Sequence, residues 1–211
     1  MGDADLLLFF AASVVVILAP GPDNILVLTR GVTLGLKAAL VSASGASTGL
    51  VCHSLFAAAG LSAILSRSAL AYSVVKYVGA AYLIYLGIRA LMDRESFVLS
   101  AADGASPLSL RRVYAQAVAS NVFNPKIAVF FLAYLPQFAD PTSGGGVAPQ
   151  LLVLGLAFAA MTWAIFSVVA LLSGALGGWL RSKPRFANGL SWLTGGVLIA
   201  LGLRLALPER R

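Results

Sequence analysis

Two proline-bearing polar clusters interrupt apolar stretches of this 211-residue chain. The first is Pro20-Gly21-Pro22-Asp23-Asn24, and the second Asn121-Val122-Phe123-Asn124-Pro125-Lys126. In a helix, Pro20 lacks the N–H that would bond the Val16 carbonyl, and Pro22 the one that would bond Leu18. Each proline also pushes its predecessor, Ala19 or Gly21, out of the helical region. The helix is therefore expected to break here and restart with Pro22 in its first turn. Pro125 frees the Asn121 carbonyl in the same way, and Asn121 and Asn124 bring donors and acceptors to that gap. Carbonyls end one half-helix and free N–H groups begin the next, and such ends bind cations and anions respectively.

Charge sharpens both clusters. Of eight acidic residues, Asp23 alone falls inside an apolar stretch. A charge near mid-membrane costs about 2.5–3.5 kcal/mol on insertion scales, which marks it as a functional candidate. The residue types leave two readings of Asp23: a site for a cation or a proton, or a cap for its own restarting helix. Lys126 lies 14 residues past Arg112, roughly 20 Å along a helix. It either faces Asp23 or a substrate carboxylate, or snorkels toward an interface. One acid and one base, each beside a break, suit a zwitterion. His53, the only histidine, is open to proton coupling or to a packing role. Asn24, Asn121 and Asn124 complete the candidate site. Lys76 and Arg30 sit near span ends and are expected to snorkel.

The elements that position these residues follow from composition. The chain is 59% hydrophobic and 11% charged, with a mean hydropathy of +0.90. Soluble domains carry roughly 25% charged residues, and one core could not hide so much apolar surface from water. An all-α membrane protein follows, a single transmembrane domain over 1–211 with the lipid bilayer as its solvent. Six spans are expected: Leu6 to about Thr29, Ala38 to about Leu65, about Ala71 to Ile88, Val113 to about Phe138, Gln150 to about Leu180, and Asn188 to Leu207. The first and fourth are broken at prolines. A polar linker at 93–110 separates half-repeats of about 1–92 and 111–211. Three spans per half force opposite orientations, the inverted repeat of secondary transporters. Nine basic residues lie in the first, third and fifth links, which the positive-inside rule places in the cytoplasm, with both termini outside. The net charge of +7 thus reports topology rather than nucleic-acid binding, which would gather the charge on one face.

Small residues mark packing faces: Gly45 and Gly49 form G-x-x-x-G, and Gly174 and Gly178 repeat the spacing. Gly45 to Gly49 either serve packing alone or also leave room for substrate beside the broken first helix. Trp163 is placed in the core. Cys52 is the single cysteine, so neither an intrachain disulfide nor a metal-ligand cluster is expected. No cofactor is expected either.

The sequence resembles the LysE/RhtB family of amino-acid exporters. The resemblance rests on Pro20-Gly21-Pro22-Asp23-Asn24 and its continuation through Thr29-Arg30-Gly31 to Gly35. It also rests on Gly45-Ala46-Ser47-Thr48-Gly49, on Tyr77 to Leu91 with Gly79, Tyr82, Leu83 and Gly87, and on Asn124-Pro125-Lys126. It implies six helices in a bacterial inner membrane. It further implies efflux of amino acids or derivatives such as homoserine, its lactone, threonine, leucine or cysteine, driven by the proton gradient, with a homo-oligomer possible. Two rivals remain. A divalent-cation exporter wants several oxygen ligands or a His/Cys/carboxylate cluster, and Lys126 would repel a cation. A membrane-embedded enzyme could use Asp23 and His53 as acid and base, but no nucleophile accompanies them.

Overall fold

The computed structural model describes residues 3–19, 21–61, 68–92, 109–140, 145–182 and 184–207. Pro20, most of the 93–110 linker, and Arg67, Arg94, Lys183, Arg210 and Arg211 lie outside them. The described residues form eight α-helices: α1 (Asp3–Leu18), α2 (Pro22–Leu34), α3 (Leu36–Phe56), α4 (Ala69–Met92), α5 (Leu110–Val122), α6 (Pro125–Val129), α7 (Val147–Ser182) and α8 (Pro184–Ala206). A π-turn, Ala57–Leu61, extends α3. Another, Phe130–Tyr134, and a 3-10 turn, Leu135–Phe138, extend α6.

The breaks fall where the prolines put them. The α1–α2 pair bends by 55°, and the segment pair either side of Asn124 by 47°. Three helices are long and apolar enough to cross a membrane directly: Leu36–Gly60, Leu70–Met92 and Val147–Ala175. Counting each bent pair as one span brings the number to five. The sixth expected span coincides with α8, whose apolar part among the described residues is Gly195–Ala206. Helix α7 starts at Val147, earlier than the turn expected over 139–149, because Pro149 is tolerated in a first turn.

Helix α3 packs on α5 and α7, α2 lies against α3 and α7, and α4 packs on α8. Gly45 and Gly49 make the α3–α5 approach possible. A Cβ at Gly45 would stand 2.7 Å from the Tyr114 carbonyl oxygen, and one at Gly49 would stand 2.7 Å from Asn121. Gly174 has nothing within 4 Å of its Cβ position, so the second G-x-x-x-G spacing does not mark a contact at that residue. The core is Phe9, Val16, Val27, Leu50, Phe130, Phe131, Phe158 and their neighbours. Large apolar side chains also cover the outside: Leu70 is 76% exposed and Val153 66%, a surface suited to lipid rather than water. Trp163 belongs to that outer surface rather than to the core. It is 51% exposed, and its indole N–H donates to Ser44 Oγ at 3.3 Å, a partner that satisfies the ring from the edge of α3.

Candidate functional site

The orphaned carbonyls of the first break find donors, and one of those donors is Lys126. Its Nζ donates to the Val16 carbonyl at 3.2 Å and to the Ala19 carbonyl at 3.0 Å. The Val16 oxygen is one that Pro20 cannot serve. Asn24 Nδ2 donates to the Ile17 carbonyl at 2.8 Å. Cations at the C-terminal end of a half-helix also match its dipole. Gly21 makes room for this arrangement: a Cβ there would meet Lys126 Nζ at 3.0 Å. Lys126 is buried, and its Nζ is turned onto the carbonyls of the first break.

Asp23 does not cap its own helix. Gly21 is the N-cap of α2, with no side-chain hydrogen bond there. The buried Asp23 carboxylate instead accepts from three groups of the other half. Ser120 Oγ donates to Oδ1 at 2.9 Å, while Asn121 Nδ2 and Asn124 Nδ2 donate to Oδ2 at 2.8 and 2.9 Å. Hydrogen bonds to an ionised partner are roughly twice as strong as neutral ones. Asp23 and Lys126 therefore share a site without a direct ion pair, each held by the opposite half of the chain.

The second break caps itself. Asn124 is the N-cap of α6: its Oδ1 accepts from the Lys126 N–H at 3.1 Å, and its carbonyl accepts from the Ile127 and Ala128 N–H groups. The Asn121 carbonyl, freed by Pro125, accepts from the Asn124 N–H at 2.9 Å and lies 3.2 Å from His53 Nε2. His53 is buried, with its ring 5.5 Å from that of Phe131. It thus touches the site through backbone rather than through Asp23 or Lys126.

A small cavity lies between the breaks, lined by Asp23, Asn24, Asn121 and Lys126 together with Val16, Ile17, Leu50, Ile127, Phe158, Thr162 and Phe166. As shaped it fits a water molecule rather than an amino acid. Three of its walls, Phe158, Thr162 and Phe166, recur every four residues on one face of α7. Composition alone did not single out these residues or Ser120. Ser120 was findable, since it directly precedes Asn121 on the same polar turn. Thr162 was findable as a hydroxyl within a long apolar run.

Two other basic residues expected to snorkel are buried. Lys76 Nζ reaches the Leu207 carbonyl at 3.5 Å, at the end of α8. Arg30 is 8% exposed and donates to Gln116 Oε1 on α5. Among the described residues, no three His, Cys, Asp or Glu side chains gather as metal ligands.

The chain is similar to known proteins over nearly its whole length. An uncharacterised membrane protein of Vibrio cholerae is 34% identical over 203 residues, covering 96% of this chain and 97% of the relative. A homoserine/homoserine lactone efflux protein of Salmonella typhimurium is 31% identical, covering 94% of each. A leucine efflux protein of Klebsiella pneumoniae is 27% identical, covering 97% of this chain and 96% of the relative. No solved structure matches the chain. A model of the LysE type translocator family matches residues 14–209, nearly the whole length. A multi-pass membrane protein with this match belongs to the LysE type translocator family, whose members are transporters and not enzymes.

Proposed function

We propose that the chain exports amino acids or their derivatives across a bacterial cytoplasmic membrane by alternating access, coupled to protons. The observation that carries this reading is the pairing of the breaks. A buried carboxylate and a buried ammonium, drawn from different halves, border one cavity beside two interrupted helices. Interrupted helices at a repeat interface are where secondary transporters bind substrate.

In this reading the substrate ammonium docks at Asp23, with Asn121 Oδ1, buried and without a hydrogen-bond partner, as a second acceptor. Lys126 meets the substrate carboxylate. Two of its three N–H donors are committed to Val16 and Ala19, which leaves one for the substrate. Asn24 and Asn124 fix the half-helix ends and the carboxylate. Leu50, Phe158 and Phe166 form the apolar wall against the substrate side chain. Asp23 and His53 are the two candidate proton carriers, and the ammonium docks on the Asp23 carboxylate. The cavity must widen for an amino acid to enter, and rocking of the halves supplies that change.

The packing supports six spans in two inverted three-helix repeats. Helix α3 packs on α7, and α4 on α8, each helix on its counterpart in the other half, while the broken spans meet at Asp23 and Lys126. The basic links support an orientation with both termini outside. The test is export of labelled amino acids from vesicles carrying Asp23→Asn or Lys126→Ala. Loss of export in both is expected; normal export in both removes these roles.

A further inference from the structure

Arg30 is a buried cation with an open donor. Its Nη2 donates to Gln116 Oε1, while Nη1 is buried with no hydrogen-bond partner. A guanidinium keeps its charge in a protein, and an uncompensated buried charge is costly enough that a partner is expected. Among the described residues, the helices packed against it build none in. Helices α3, α5 and α7, which pack on α2, carry no Asp or Glu. The one acid on α2 is Asp23, already bound by Ser120, Asn121 and Asn124.

Position gives the open donor a meaning. Asp23, Val27 and Arg30 are buried residues of α2, at the i, i+4, i+7 spacing of one helix face. Across from them, α5 runs antiparallel, since Asp23 bonds to Ser120 and Asn121 while Arg30 bonds to Gln116. The α2–α5 seam therefore has two polar rungs, seven residues apart on α2, or about 10 Å along the helix. The Asp23 rung already takes three donors, and the Arg30 rung is short of an acceptor.

We infer that Arg30 is a docking site for the substrate's carboxylate on the route to the Asp23–Lys126 centre, with Gln116 holding one arm of the guanidinium and the other arm free for the anion. Planar guanidinium suits a carboxylate better than a lysine ammonium would. With the first link cytoplasmic, Arg30 lies on the side from which an exported amino acid arrives. This inference rests on the amino-acid reading above.

The experiment measures export from proteoliposomes for two pairs that differ in the carboxylate, leucine against leucinamide and homoserine against its lactone. Arg30→Gln is expected to raise KM for the acids by about tenfold, as loss of one charged hydrogen bond does, and to leave the amide and lactone near wild type. Gln116→Glu tests the same point without stranding a charge. A fixed carboxylate on Arg30 competes with the substrate's, so KM for the acids rises and the acid preference narrows. Arg30→Lys restores part of the preference. Equal effects on acid and non-acid substrates in both Arg30→Gln and Gln116→Glu overturn the inference and leave the Asp23–Lys126 reading standing. Wild-type vesicles that export no amino acid overturn both.

Discussion

The two helix breaks solve one backbone problem in opposite ways. The break after Asn121 is closed from within: Asn124 caps α6 with its own side chain and takes two further N–H groups on its carbonyl. The break between α1 and α2 has no side-chain cap on Gly21, and of its exposed carbonyls two are held by Lys126 from the other half. The difference teaches where the site's mechanical weakness lies. The self-capped break depends on its own residues, whereas the first break, beyond the Asn24–Ile17 hydrogen bond, draws on Lys126 from the other half. A rocking motion that separates them must loosen Lys126 from Val16 and Ala19, and this ties substrate binding to the geometry of the first span.

That contrast can be broken by substitution. The largest effect is expected from Asp23→Asn, which removes the charge on which three donors converge. Export should fall by at least about tenfold, the loss of a charged hydrogen bond being worth roughly 1.5–3 kcal/mol, measured as initial rates in vesicles. Lys126→Met comes next. It strands the Val16 and Ala19 carbonyls at a cost of about 1–3 kcal/mol for each buried unsatisfied group, so the thermal midpoint in detergent should drop well below that of Lys126→Arg. Asn124→Ala attacks the self-capped break instead, removing a cap worth about 1 kcal/mol and one of the donors to Asp23. Its destabilisation should be smaller than that of Lys126→Met; a larger loss would reverse the proposed order of the two breaks. The smallest effect on stability is expected from His53→Ala, because the Asn121 carbonyl keeps the Asn124 N–H. Should that variant retain amino-acid exchange yet lose its response to a proton gradient, His53 rather than Asp23 carries the proton.

Much of this was legible in residue order, for a physical reason. Proline removes a known N–H and orphans a known carbonyl, so the break positions and the Val16 and Asn121 oxygens followed from local chemistry. The partners did not, because they come from about a hundred residues away. Nothing near Asp23 in sequence says that Ser120 and Asn121 hold it rather than its own helix. The burial of Arg30 and Lys76 was hidden for the same reason: distance from a span end measures depth along a helix, not which face meets a neighbour. Trp163 failed in the other direction, since depth in the span does not stop a ring from facing lipid. The spacing of Gly174 and Gly178 was too weak a signal at Gly174, whereas at Gly45 and Gly49 α5 comes too close to admit a Cβ.

The central claim is that the cavity between the breaks opens to each side of the membrane in turn. Thr162, buried in its wall, reports on this directly as Thr162→Cys in a Cys52→Ser background that leaves no other thiol. The account predicts labelling by a membrane-impermeant thiol reagent from either face, with protection by a transported amino acid on both. Labelling from one face alone, or labelling that no amino acid alters, would contradict it.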